Sequence, residues 1–286
     1  MSKVLVIGDS MLDYYLYGNI NRQSPEDKSV PVLDITKTEY RLGGCLNTAA
    51  NIKSLNSQLQ VNVCAPVSSF TYGLLREKGI EPPVLSFVQK DAYQPHPDEL
   101  VKMRIIDEKT KKQIVRVDNK EKFPEKDYFV PYSFADYDAV VISDYCKGMV
   151  NDKVIDSLKK YKGPVFVDTK KSDLTIWKNI ENCVVKINSK ENQKASGHMS
   201  LKHLIVTEGA SGCTLFSCIP PTRGQVAKSF MTEPVKNADT VGCGDVFLSG
   251  LVVEYLNSRD LDKAIMFANK VASESAKYFG TVEVKL

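Results

Sequence analysis

One short run carries most of the chemistry that this chain displays: Asp239-Thr240-Val241-Gly242-Cys243-Gly244-Asp245. Two glycines alternating with other residues let the backbone turn tightly and leave its N–H groups uncovered. The apolar residues that follow, Val246-Phe247-Leu248, then Leu251-Val252-Val253 and Tyr255-Leu256, have helical length and spacing. The pattern predicts a turn that delivers backbone N–H groups to a helix N-terminus, a place suited to anions. Asp245 stands at the same helix start, and a carboxylate beside an anion cradle makes chemical sense where a proton has to be removed. For a phosphoryl group in transfer, the N–H groups would hold the developing negative charge and Asp245 would accept the proton of the attacking hydroxyl. In isolation, Gly-x-Gly-Asp reads equally as a turn with an acidic cap, so the rest of the chain decides its meaning.

Those residues need a scaffold. Short apolar runs that mostly finish in polar residues recur at Lys3 to Asp9, Val61 to Ala65, Ala139 to Asp144, Val165 to Asp168, Cys183 to Asn188 and Leu204 to Thr207. Helical stretches alternate with them at Asn47 to Leu55, Asp152 to Tyr161, Val246 to Leu256 and Leu261 to Tyr278. Such alternation predicts an α/β fold with a mostly parallel sheet covered on both faces. Ligands of such sheets sit beyond the carboxyl ends of the strands, where the polar residues cluster here. Two segments break the pattern. Tyr14 to Leu42 has no helical period and contains Val30 to Thr36, with partial strand-like alternation. Leu100 to Asp118 reads as two strands, Val101 to Ile106 and Gln113 to Val117, around a polar turn. Together they predict a small β-structure inserted into the α/β body, serving as a flap over the site or, equally, as a sheet extension or dimer contact.

Bulk properties narrow the function classes. The chain has 286 residues, 43% hydrophobic and 26% charged, ordinary for a soluble globular protein. A net charge of +3 is too small to argue for nucleic acid or an anionic membrane as partner. The seven cysteines include no Cys-x-x-Cys pair, which predicts reduced thiols in a cytoplasmic protein and neither disulfides nor a zinc site. His96, His198 and His203 lie at no metal-binding spacing. The apolar run after Met1 is too short for a signal peptide, and no run is long enough to cross a bilayer.

A second glycine pair, Arg41-Leu42-Gly43-Gly44, joins the first inserted segment to the helix bearing Asn47 and Asn51. Paired glycines there suit a hinge, and Asn47 can donate to and accept from a polyol. With Gly43-Gly44-Cys45-Leu46-Asn47-Thr48-Ala49-Ala50-Asn51 near one end and Asp239 to Asp245 near the other, the chain resembles the ribokinase-like (PfkB) carbohydrate kinases from about Lys3 to about Val282. A narrower resemblance is to the kinase domain of heptose 7-phosphate kinase. It rests on Gly8-Asp9-Ser10-Met11-Leu12-Asp13, Tyr14 to Gly18, Ser24-Pro25-Glu26, Val30-Pro31-Val32, Ser143-Asp144-Tyr145-Cys146-Lys147-Gly148 and the pair Lys102, Arg104. Enzymes of that kind phosphorylate the anomeric hydroxyl of D-glycero-D-manno-heptose 7-phosphate on the way to ADP-heptose.

The resemblance implies a single domain over residues 1–286: a three-layer α/β/α sandwich with a mostly parallel central sheet and a small β-rich lid at roughly 13–42 and 100–118. It implies ATP and Mg2+, with a monovalent cation such as K+. Asp245 would be the catalytic base and the backbone of Gly242, Cys243 and Gly244 the anion hole. Asp13, Gly43, Gly44, Asn47 and Asp144 would lie on the sugar. Asn188 and Glu191 match an Asn-x-x-Glu pattern that places magnesium and its waters, Glu191 acting through water. Thr207, Gly209 and Gly212 match a nucleotide-binding loop, Asn269 lies in the helix bordering the adenine, and Asp239 and Thr240 fall where relatives bind the monovalent cation. A phosphorylated substrate also needs cations away from the reacting hydroxyl. Lys102, Arg104, Lys147 and Lys170 are the candidates, the first two sharing a strand face.

Departures from the pattern leave the sugar open. Cys243 replaces a usual Ala, Lys186-Ile187-Asn188 a usual Thr-Pro-Asn, and Thr169 a Pro, and the segment before His203 is short. No nucleotidyltransferase segment follows, so the kinase step alone is expected, with a separate nucleotidyltransferase as partner and a homodimer formed through lid strands. The alternatives are a kinase for another sugar or a nucleoside, such as fructose, and a non-catalytic binder of nucleotide or sugar phosphate on the same fold.

Overall fold

Strand β1 (Lys3–Gly8) shows how the layers are made. Val4 and Val6 enter one apolar core and Leu5 and Ile7 another, all fully buried, as befits a strand covered on both faces. The computed structural model describes residues 1–81, 88–89, 99–123, 133–219 and 224–285; His96 lies outside them.

The large sheet continues the same design. Strands β4 (Gln60–Cys64) and β9 (Ala139–Asp144) flank β1 in parallel. β10 (Val165–Thr169), β11 (Cys183–Asn188) and β12 (His203–Thr207) extend it, also in parallel. β13 (Cys213–Ile219) and β14 (Gly224–Phe230) finish it as an antiparallel hairpin, in the order β14-β13-β12-β11-β10-β9-β1-β4. The sequence pattern did not announce that hairpin.

Helices α1 (Cys45–Leu55), α2 (Ser69–Glu77), α5 (Cys243–Ser258) and α6 (Leu261–Ser275) contribute to one core, and α3 (Asp152–Leu158) with the turn Leu174–Trp177 to the other. This is the expected three-layer arrangement. Caps fix several helix starts. Ser68 accepts from Thr71 N, Asn151 from Val154 N, and Asp260 from Asp262 N and Lys263 N. The single turn α4 (Ser189–Asn192) closes the end of β11.

The inserted segments form a separate sheet, ordered β3-β2-β7-β8. β2 (Ser10–Gln23) and β3 (Pro31–Gly44) are antiparallel strands of 14 residues each, far longer than the partial alternation at Val30 to Thr36 suggested. The first residues of β2 are buried without interruption, which hides the period of two. Tyr14 stacks on Tyr40 across the pair, ring centroids 4.4 Å apart. β7 (Val101–Asp107) runs parallel to β2, and β8 (Lys112–Asp118) is an exposed edge. A two-residue parallel pair, β5 (Val67–Ser68) with β6 (Val88–Gln89), completes the strands described. The carboxyl ends of β1, β9, β10, β11 and β12 and the starts of α1 and α5 carry the polar residues described next.

Candidate active site

Helix α5 starts directly after Gly242, which holds φ at 78°, a backbone state that glycine adopts without cost. Asp245, in the first turn, is 2% exposed. Asn47 Nδ2 donates to its Oδ2 at 2.9 Å, and Tyr145 Oη donates to its Oδ1 at 2.6 Å. Burial pushes its carboxyl up to about 6. The two hydrogen bonds oppose the rise, the Asp168 carboxylate adds to it and Lys186 opposes it. A carboxylate in that range is ionised at neutral pH yet basic enough to take a proton. In the turn, Cys243 N donates to Thr240 O at 3.3 Å, so one of the three expected anion-hole amides is used internally. The Gly242 and Gly244 amides meet no acceptor among the described residues. Asp239 accepts from Val241 N and Gly280 N, both at 2.9 Å, and so ties the turn to the C-terminal segment.

The start of α1 faces this turn. Gly44 has φ of 58°, and a Cβ there would collide with Asp9 O. A Cβ on Gly43 would lie 2.7 Å from Asp13 Oδ2, so the glycine pair serves close approach as well as any hinge. Asn51 Nδ2 donates to Asn47 Oδ1 at 3.0 Å, leaving the Asn47 amide to point its N–H at Asp245. Asp13, 3% exposed, pairs with Arg104 Nη2 at 3.1 Å. Burial raises its pKa, with Arg104 and Lys102 opposing. Lys102 and Arg104 do share a face of β7, opposite Asp13 and Tyr15 of β2. Arg104 is committed to Asp13, whereas the Lys102 ammonium, pushed down in pKa by burial, lies 5.8 Å from the Tyr145 ring centroid.

The loop after β9 is pinned from below. Asp9 accepts from Tyr145 N at 2.8 Å and from Lys147 N and Met149 N at 3.0 Å. Asp144 accepts from Cys146 N at 2.9 Å and Thr169 Oγ1 at 2.8 Å, so its carboxylate shapes the loop itself. Lys147 is fixed by its backbone, with a half-buried side chain. Lys170 Nζ is 2.9 Å from Glu191 Oε1 and 4.9 Å from the Tyr145 ring centroid.

On the nucleotide side, Asn188 and Glu191 form a capping box: Asn188 Oδ1 accepts from Glu191 N at 3.0 Å, and Glu191 Oε2 accepts from Asn188 N at 2.8 Å. Burial would raise the pKa of Glu191, but the Asn188 amide and Lys170 outweigh it and hold the carboxyl below its ordinary value. Thr207 ends β12, and Gly209 and Gly212 shape the turn into β13, where a Cβ on Gly212 would meet Phe230 O. Asn269 is buried and donates to Phe230 O at 3.1 Å, which turns its amide into the interior. Among the described residues no three His, Cys, Asp or Glu side chains gather as a metal site, and all seven cysteines are free.

Sequence reasoning assigned no role to Tyr145, Asp168, Lys186 or Asp9. Asp168 and Lys186 are register partners on β10 and β11 and form an ion pair of 2.7 Å, with side chains 13% and 4% exposed. A Cβ on Gly244 would lie 2.9 Å from Lys186 Nζ, so the ammonium packs against the start of α5. The available signal was position, since Asp9 and Tyr145 directly follow parallel strands and Asp168 and Lys186 lie in the last three residues of theirs.

A family model described as pfkB family carbohydrate kinase matches residues 1–285. The bifunctional protein HldE of Histophilus somni is 30% identical over 99% of this chain, and that of Haemophilus influenzae (strain PittEE) 31% over the same share. The chain spans 62% of the length of each of these relatives. Among solved structures, ribokinase from Thermotoga maritima superposes with a TM-score of 0.71 at 15% identity, covering 98% of this chain and 95% of that one. A point mutant of phosphofructokinase-2 from Escherichia coli gives 0.71 at 17% identity, covering 99% and 96%.

Proposed function

Because the chain belongs to the pfkB family of carbohydrate kinases and is a sugar-kinase phosphotransferase, we propose that it transfers the γ-phosphoryl group of ATP to the anomeric hydroxyl of a heptose 7-phosphate or a closely similar sugar phosphate. The observation that carries the mechanism is Asp245: buried, gripped by Asn47 and Tyr145, raised to about 6, and set at a helix start with open amides. The narrower substrate rests on the resemblance noted in the sequence and on the HldE relatives.

In this reading the sugar lies between Asp13 and Asn47, with its acceptor hydroxyl against Asp245. Asp245 takes the hydroxyl proton as the oxygen attacks phosphorus in line. The Gly242 and Gly244 amides and the dipole of α5 meet the charge on the transferring group, with Lys186 packed beside Gly244. Arg104 opposes the rise that burial causes in Asp13 and holds its carboxyl in place, which leaves Lys102 and Lys147 as the cations for the phosphate already on the substrate. Lys170 and Glu191 face the nucleotide. Mg2+ bound with ATP would supply neutralisation of the phosphate charge. A lone ionised carboxylate, Glu191, suits a metal held mainly by phosphate oxygens and water. Asp239 accepts Val241 N on one oxygen and Gly280 N on the other, which holds the turn and leaves a lone pair on each oxygen for the monovalent cation expected at Asp239 and Thr240. The small sheet acts as the lid that excludes water.

Several wider expectations join the proposal. No helix among the described residues is long and apolar enough to cross a membrane, and we place the enzyme in the cytoplasm. β8 is an edge strand with Ile114, Val115 and Val117 each more than 40% exposed, and we propose that a second copy covers it. A nucleotidyltransferase activity would consume the product. ADP release from Mg-ATP, measured with a panel of sugars and sugar phosphates, tests the substrate. Turnover on D-glycero-D-manno-heptose 7-phosphate and not on fructose, ribose or nucleosides is expected; preference for one of those would overturn the heptose assignment and keep the chemistry.

A further inference from the structure

Tyr145 belongs to none of the groups so far given a task in catalysis, yet it makes the shorter of the two hydrogen bonds to Asp245, 2.6 Å from Oη to Oδ1. Its place is built with care. Three backbone amides of its loop are held by the buried Asp9 carboxylate. The next residue, Cys146, takes φ of 57°, a conformation that a residue with a side chain adopts only under local constraint. Two ammonium groups, Lys102 from the small sheet and Lys170 from the body, lie 5.8 and 4.9 Å from the Tyr145 ring centroid. Asn47 grips the other oxygen of Asp245 from the opposite side.

We propose that Tyr145 is a positioning residue that fixes the orientation and the proton affinity of the base; this rests on the reading of Asp245 given above. With one donor on each oxygen, the carboxylate cannot rotate, and the acceptor hydroxyl meets it along a lone pair left free. A hydroxyl that donates to the ionised form favours that form. Burial and the nearby Asp245 raise the phenol itself, so it stays protonated and remains a donor. The charged and titratable groups around Asp245 come from every element packed there: Cys45 beside Asn47 on α1, Asp168 and Lys170 at the end of β10, Lys186 on β11, and Cys243 on α5. Tyr145→Phe leaves all of them in place and keeps the ring that excludes water.

The test is a carbon-13 NMR titration of the Asp245 carboxyl in wild type and Tyr145→Phe, with Asp245→Asn identifying the signal. It needs no substrate. We expect the Asp245 pKa to rise by about one unit in Tyr145→Phe, and 3-fluorotyrosine at 145, a stronger donor, to move it down. In turnover with Mg-ATP and D-glycero-D-manno-heptose 7-phosphate, the acid limb of kcat/KM should shift to higher pH by the same amount. kcat should fall about tenfold to a hundredfold, with KM for ATP little changed. An Asp245 titration that stays put in both variants overturns the inference. Turnover that survives Asp245→Asn strikes the assignment of the base instead, and the titration tells the two failures apart.

Discussion

The sugar side and the nucleotide side of the site are built on opposite principles. Asp13, Asn47 and Asp245 are each 3% exposed or less, and each is gripped by a partner from a distant part of the chain. On the nucleotide side Asn188 and Glu191 are half-exposed and engage each other, three positions apart. Burial therefore dominates the first region and raises its carboxyl pKa values. Local hydrogen bonds dominate the second and lower the pKa of Glu191. A base that must be poised gains from being locked in a dry setting. Groups that receive a charged, mobile co-substrate gain from partners that are easily exchanged, as Lys170 can leave Glu191 for phosphate.

If that contrast holds, damage to the two sides should differ in kind. The largest effect on stability is expected from Asp13→Ala, which strands Arg104 as a buried charge without its partner and should cost about 3–5 kcal/mol in a denaturant titration. KM for the sugar should rise as well, with ATP binding retained. A stability loss below about 1 kcal/mol would show that the pair behaves as a surface bridge and would dissolve the contrast.

The next effect is a slope with pH. Asp245 binds its proton more tightly in the folded state, at about 6, than at its ordinary 3.8. The folded state is thus favoured at low pH by this group, and that advantage fades as pH rises from about 4 to 6, by about 3 kcal/mol in total. Glu191 acts in the opposite sense, adding stability above its ordinary pKa that is lost as pH falls. Unfolding of Asp245→Asn should lack the decline that wild type shows through this window; identical slopes would show that burial does not raise the Asp245 carboxyl. The smallest effect is expected from Glu191→Gln. Its bridge to the 43%-exposed Lys170 is worth about 1 kcal/mol or less, so stability should barely move while KM for Mg-ATP rises several-fold. A stability loss as large as that of Asp13→Ala would mean that the nucleotide side is locked too.

The two sides also differed in how far they could be read from sequence. Asp245, Asn188 and Glu191 lie in local strings whose spacing carries the meaning, and the strands that place them announce themselves as apolar runs. Tyr145 and Asp9 acquire their roles only from residues 100 and 136 positions or more away, which no local period encodes. The Asp168–Lys186 pair needed the β10–β11 register, and the ion pair of Arg104 with Asp13, which lies diagonally across the β2–β7 pair, needed the register of that sheet. Asn269 was expected beside the adenine from its helix, and its bond to Phe230 O, 39 positions away, could not be read from that helix. The length of β2 stayed hidden because unbroken burial of its first residues erases alternation, and that of β3 because most of it lies in the open with no buried face to set a period.

The central claim is that Asp245 is the base, and the most direct test pairs turnover with binding in Asp245→Asn. The account predicts a loss in kcat of about a thousandfold, with Mg-ATP still bound at near wild-type affinity by calorimetry. Turnover within a few-fold of wild type would contradict it.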